Sequence, residues 1–386
     1  MTEIVRIGII GIGNIGSRHA GYLSRGEIQG AQLVAVCDID PAKLKDAARF
    51  GTSLRQYATA AAMLADPGVD AVIIATPHYA HPTLAAAALR AGKHVLSEKP
   101  VGVYTQAVHE PLEVAAQHPE LTYALMYNQR MNPMYQKARA LVQDGTIGEL
   151  RRSNWIITDW YRSQSYYDSG GWRATWAGEG GGVLLNQDPH QLDLWQWICG
   201  MPARVMGFAY CGKRRDVEVE TEATAYVEYP NGATGVFVTT TTETPGTNRF
   251  EVVGSKGTMV IEDQRLRLRL NQVDEATWNR TYTGGFGQPE SQEEQLDVVF
   301  DADSGHAKIV QNFVDHIRTG APLMAPASEG LRGLSISNAI YLSAWTGAWV
   351  PLPIDEARFL AALNERRAQS VFKPTPGRRL DTRGSY

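Results

Sequence analysis

From residue 4 to about residue 128 the chain alternates short, almost wholly apolar runs with alanine-rich stretches of mixed polarity. Apolar runs at 5–10, 31–38, 69–76, 93–96 and 122–126 read as strands buried on both faces, and segments such as 82–91 read as helices. That rhythm predicts a doubly wound parallel sheet with helices on its two faces. Residues 133–143 read as a helix closing at Gly145. Beyond Gly148 the rhythm changes to longer strands, at 149–160, 203–211, 219–229, 233–242, 249–254, 258–263 and 265–271. These predict a large, mostly antiparallel open sheet, with helices at 190–199, 306–319 and 328–345 covering one face. The chain therefore reads as α/β followed by α+β: a first domain over 1–130, a second over 131–355, and a C-terminal helix with an extended tail over 356–386.

Composition narrows this picture. With 386 residues, 44% of them hydrophobic, the chain can build two real cores. A net charge of -4 argues against a nucleic-acid partner. Cys37, Cys199 and Cys211 are far apart, so they read as buried thiols of a reducing compartment, with neither a disulfide framework nor a metal site. No apolar run approaches membrane-spanning length and no secretory leader precedes the first strand, so a soluble cytoplasmic protein is expected.

The first strand runs directly into Gly11-Ile12-Gly13-Asn14-Ile15-Gly16, a Gly-x-Gly-x-x-Gly turn opening a helix. Gly11 permits the tight turn, Gly13 lets backbone approach a pyrophosphate, and Gly16 lets the helix pack closely on its strand. Phosphate would sit on the N–H groups that begin the helix, at Asn14 and Ile15. The second strand ends in Asp38, at the separation where a carboxylate binds the adenosine ribose hydroxyls. Its charge repels a 2'-phosphate and Ile39-Asp40-Pro41 offers no arginine, so NAD is favoured over NADP. Asp38 could also, or instead, cap the helix starting near Pro41.

Four further motifs resemble the glucose-fructose oxidoreductase, inositol dehydrogenase and MocA family, over roughly residues 4 to 350. They are Ala75-Thr76-Pro77-His78-Tyr79-Ala80-His81, Glu98-Lys99-Pro100, Tyr127-Asn128-Gln129-Arg130 with Pro133, and the segment 180–193 from Gly180-Gly181-Gly182 through Asn186 and His190 to Asp193. The resemblance implies an NAD-binding Rossmann domain whose cofactor meets Thr76, Pro77, His78, His81, Glu98, Lys99 and Asn128 as well as the glycine turn. It also implies Lys99 and His190 as catalytic residues, with Tyr127, Arg130, Asn186 and Asp193 orienting a substrate ring. Lys99 ends a strand at the sheet edge where ligands bind, so a relay of the substrate's hydroxyl proton suits it; the plain alternative is a solvated loop lysine. An imidazole ordinarily titrates at about 6.5, which suits a general base, though outside its motif His190 would read as structural. The family commonly has aspartate where this chain has Asn186; a neutral amide can bind a sugar hydroxyl but cannot raise the basicity of His190, and Asp193 or Asp188 are the candidates for that charge.

Between Trp155 and Trp176 aromatic residues interleave with arginines, among them Trp160, Arg162, Trp172 and Arg173. Such rings stack on pyranose faces and such forks bind anionic groups; aromatics packed at a subunit interface are the equal alternative. The leading expectation is an NAD-dependent oxidoreductase that moves hydride between a ring hydroxyl of a pyranose or cyclitol and nicotinamide. A second is a glycoside hydrolase that oxidises C3 transiently, eliminates the aglycone with a tyrosine such as Tyr127 or Tyr161 as C2 base, and acts on an anionic glycoside such as a sulfoquinovoside. A sugar-sensing regulator without turnover is a third. The resemblance further implies a homodimer or homotetramer.

Overall fold

The computed structural model describes residues 4–299 and 305–371, so the tail expected over 372–386 lies outside the described residues. The chain divides into two compact units, one of residues 1–131 with 304–334 and one of residues 132–303 with 335–386. Within the described residues no helix is long and apolar enough to cross a membrane.

The first unit is built on β1 (Val5–Ile10), β2 (Ala31–Cys37), β3 (Arg55–Tyr57), β4 (Ala71–Ile74), β5 (His94–Ser97) and β6 (Tyr123–Leu125). They form one parallel sheet in the order β3-β2-β1-β4-β5-β6. The direction of strand addition reverses between β1 and β4, which opens a crevice at their carboxyl ends. The central strands are mostly apolar, with Ile7, Ile9, Ile73 and Leu96 fully buried, whereas the short edge strand β3, Arg55-Gln56-Tyr57, is polar with no buried residue and was not among the predicted strands. The helix His306–Thr319, expected on the second sheet, packs instead on this one, against β1, β5 and the helix Asn14–Ser24. Its apolar stripe, Ile309, Val310, Phe313 and Val314, is buried there.

The second unit carries a nine-stranded sheet: β7 (Leu150–Ile157), β8 (Arg204–Cys211), β9 (Glu220–Glu228), β10 (Thr234–Thr240), β11 (Asn248–Gly254), β12 (Gly257–Glu262), β13 (Arg265–Asn271), β14 (Ser291–Leu296) and β15 (Val350–Pro351). All pairs are antiparallel except β7 with β10. The polar β14, Ser291–Leu296, and the two-residue β15 carry too little apolar alternation to be read from sequence. Along β10 and β11 buried positions alternate with partly exposed ones, as a sheet covered on one face requires. Trp155 stacks on Phe250 with ring centroids 4.4 Å apart, Trp195 stacks on Phe237, and the Trp195 indole N–H donates to Ser153 Oγ. Trp155, Tyr167 and Trp176 are therefore core residues. All three cysteines are free, but only Cys37 is the buried thiol expected; Cys211 is exposed at a strand end.

Candidate active site

In the first unit the glycine turn has a distinct steric reason at each glycine. Gly11 takes a φ of +94°, and a Cβ on it would lie 2.6 Å from the Ala75 carbonyl oxygen. A Cβ on Gly16 would lie 1.9 Å from the carbonyl oxygen of Gly11, so the helix can start this close to its strand only without a side chain. Around Gly13 a Cβ would meet nothing within 4 Å. The helix Asn14–Ser24 begins there with no side-chain cap, and Ile15 is only partly covered while Asn14 is exposed. Open backbone at an uncapped helix start fits a pyrophosphate.

Asp38 is 7% exposed at the end of β2. Its Oδ2 accepts from the Ile12 backbone N–H at 2.7 Å and its Oδ1 from that of Asp40 at 3.0 Å, which holds the carboxylate against the glycine turn. The helix Pro41–Ala47 is capped by Asp40, whose side chain accepts from Ala42 N–H, so the capping role considered for Asp38 belongs to its neighbour. Acceptors on a fixed carboxylate beside the turn are what two ribose hydroxyls need.

Glu98, Lys99 and Pro100 follow directly on β5, with Lys99 half-buried. β5 lies two strands from β1, so Lys99 projects from the carboxyl edge roughly 10 Å along from the glycine turn. Beneath it Glu98 is a brace. Its Oε1 lies 2.7 Å from Nε2 of the wholly buried His19, and its Oε2 accepts from the Lys99 backbone N–H. Burial opposes ionisation of Glu98, but the His19 hydrogen bond and the charges around it hold its pKa down at about 2. His306, with its ring 6.0 Å from that of His19, is pushed down to about 4 by burial.

Several residues expected around the cofactor and the substrate are structural. His81 is 1% exposed, and its ring nitrogens lie 2.7 Å from the carbonyl oxygens of Pro100 and Thr76, so it clamps two loops together instead of meeting the cofactor. Arg130, expected to orient a ring, is wholly buried; its guanidinium lies over Tyr127 and donates to Met324 O and Glu329. Tyr127 is 2% exposed beneath it, which removes it as a substrate contact and as a C2 base. Asn128 is buried with its amide nitrogen 3.4 Å from His306 Nδ1, His78 is buried, Thr76 is partly covered and Pro77 exposed.

In the second unit the glycine run 180–182 leads into the short helix Val183–Asn186, and His190 is the second residue of the helix Pro189–Cys199. Glu220, wholly buried on β9, accepts from the backbone N–H groups of Gly182 and Leu184 and from the Tyr341 hydroxyl. Burial pushes its pKa up to about 7. A Cβ on Gly182 would lie 1.9 Å from the Glu220 carbonyl oxygen, which explains the glycine. His190 is 9% exposed, and Asp188 and Asp193 are buried; Asp193 accepts from Gln196 and sits in the helix interior. Asn186 meets a carboxylate that the sequence did not single out. It is Glu179, whose Oε1 accepts from Asn186 Nδ2. Sequence reasoning missed it because it lies in an irregular glycine-rich loop; its one signal was a lone acid directly before three glycines.

The arginine–aromatic segment divides. Arg173 lies over Trp172 and Tyr166, donates to the Tyr166 hydroxyl at 3.0 Å and pairs with Glu179 at 3.8 Å. Arg162 lies over Trp160 and Tyr166 and pairs with no carboxylate among the described residues. Tyr161 is 48% exposed. No group of three or more His, Cys, Asp or Glu among the described residues is arranged to hold a metal ion.

Two family models match this chain. Residues 5–125 match an oxidoreductase family with an NAD-binding Rossmann fold, and residues 135–260 match the GFO/IDH/MocA C-terminal domain. An inositol 2-dehydrogenase of Rhizobium meliloti is 26% identical over 87% of this chain and 95% of its own length. A levoglucosan dehydrogenase of Pseudarthrobacter phenanthrenivorans is 26% identical over 75% of this chain and 81% of its own. Among solved structures, the WlbA dehydrogenase from Bordetella pertussis, in complex with NADH and UDP-GlcNAcA, matches with a TM-score of 0.75 at 27% identity, over 92% of this chain and 100% of that one. These relatives are named as dehydrogenases, and they lend no support to the glycosidase alternative.

Proposed function

Because the chain belongs to the GFO/IDH/MocA oxidoreductase family, with an NAD-binding Rossmann domain, we propose that it oxidises a ring hydroxyl of a pyranose or cyclitol. The observation that carries this reading is the carboxyl edge of the first sheet: an uncapped helix start at Gly13, the anchored Asp38, and Lys99 two strands along. Bound NAD supplies the hydride acceptor. Gly11, Gly13, Asn14, Ile15 and Gly16 would hold its pyrophosphate, Asp38 its ribose, and Thr76, Pro77 and Lys99 its far end. Lys99, braced from below by Glu98, or His190 would accept the proton of the reacting hydroxyl as hydride leaves the ring carbon. His190 is the second proton-handling group, and Asn186 accepts from a neighbouring hydroxyl.

The aromatic segment supports an anionic substituent on the ring, read by Arg162 over Trp160, with Trp172 as a stacking face. Arg173 is committed to Glu179 and is the weaker candidate. Incubating the protein and NAD with cyclitols, neutral pyranoses and uronates tests the proposal: NADH forms with at least one of them. If NAD binds and none yields NADH, the reading is wrong. Arg162→Met should raise KM for a uronate about 10-fold and leave a neutral sugar unchanged. A cytoplasmic homodimer or homotetramer is part of the same reading, and sedimentation at two concentrations measures the assembly.

A further inference from the structure

We propose that Glu179 is a positioning residue of the sugar site: it fixes and polarises Asn186, so that the two together act as one anionic acceptor for a substrate hydroxyl. The inference rests on the dehydrogenase reading above and deepens it.

Glu179 is 2% exposed, so its carboxylate can stay ionised only if its oxygens are met. Oε1 accepts from Asn186 Nδ2, and Oε2 accepts from the Ala174 backbone N–H at 2.6 Å. The Arg173 guanidinium stands 3.8 Å away. The loop is shaped to hold the acid there: Ala174 has a φ of +54°, and the backbone N–H groups of Glu179 and Gly180 both donate to the Thr175 carbonyl. From Arg173 the network continues to the Tyr166 hydroxyl, which also accepts from Gln187, the residue after Asn186.

This arrangement has a chemical consequence for Asn186. A carboxamide can turn either end toward a partner, but a carboxylate accepts only from the N–H end. Glu179 therefore fixes Asn186 with Oδ1 as the acceptor at its other end. Donation of Nδ2–H to a buried carboxylate also draws electron density toward Oδ1 and strengthens it as an acceptor. The negative charge sits one amide back from the position that meets the hydroxyl. Such an interaction is made equally to the bound sugar and to the reacting one, so its loss should appear in KM.

Charge exchange across the pair tests this. Glu179→Gln keeps the shape and removes the charge; we expect KM for the oxidised sugar to rise about 10-fold, kcat to stay within about 3-fold, and NAD affinity to be unchanged. Asn186→Asp alone puts two carboxylates at hydrogen-bond distance and should be the worst of the set. The double variant Glu179→Gln with Asn186→Asp restores one charge and one hydrogen bond in reversed order, and should return KM to within about 3-fold of the parent. A merely structural loop acid would lower the melting temperature in all variants without the KM rescue. Two readouts need no turnover. The Asn186 side-chain NH2 proton resonances should be shifted downfield in the parent and lose that shift in Glu179→Gln, and circular dichroism confirms folding. Unchanged amide resonances, an unchanged KM, or a double variant as poor as the single ones overturns the inference. If the parent oxidises no sugar, the dehydrogenase reading fails while the amide resonances still decide this one.

Discussion

At the scale of single residues, the site turns on carboxylates whose surroundings differ more than their sequence contexts. Asp38 and Asp40 sit two positions apart, yet one is tied to Ile12 N–H beside the glycine turn and the other caps a helix. Replacing Asp38 with Ala removes the charged acceptors offered to a ribose, so NAD dissociation constants should rise roughly 10- to 100-fold, and the preference over NADP should shrink, in fluorescence titrations. Lys99→Ala removes the proposed proton acceptor while leaving the glycine turn intact; kcat should fall by about 10²-fold or more, with a much smaller change in NAD affinity. The places of Asp38, Lys99 and His190 in the fold were legible because each follows a strand or begins a helix within a local motif. Glu179 was not, since a loop acid finds its partner through backbone turns that leave no periodic trace. Arg130 and His81 misled for a related reason: a motif names a residue type at a place, but burial against Glu329 or two carbonyls is a property of the fold.

Elements follow the same division between local and non-local information. Five strands of the first sheet were readable because parallel strands buried on both faces are continuous apolar runs, while the polar edge strand Arg55–Tyr57 left no such signal. The helix His306–Thr319 was readable as amphipathic, but an apolar stripe does not say which sheet it covers, and it returns to the first unit. The glycine turn is the element whose chemistry and packing coincide. Gly16→Ala would put a Cβ against the Gly11 carbonyl oxygen, so the turn must open. We expect about 1–3 kcal/mol of destabilisation in urea titrations, together with weakened NAD binding. An unchanged dissociation constant would mean that the turn's close packing is not what shapes the phosphate site.

For the whole molecule, the two units should answer pH with opposite signs. In the first, His306 is held down at about 4 and Glu98 at about 2, so the unfolded chain binds more protons, and stability is lost as pH falls from about 6.5. In the second, Glu220 is raised to about 7; its contribution is present below about 4.5 and lost as pH rises to about 7, on the order of 3 kcal/mol. All nine tryptophans lie in the second unit, so tryptophan-detected urea melts at pH 5 and pH 8 report this effect, and Glu220→Gln should flatten the difference. On the dehydrogenase reading, hydride leaves the ring carbon that bears the hydroxyl and stays on the cofactor. Its most direct test is a single-turnover measurement with NAD in excess over a sugar the protein converts, following NADH and ketone together. Equal amounts of both, absent in Lys99→Ala, are the predicted result; conversion of a glycoside with aglycone release and no net NADH would contradict it.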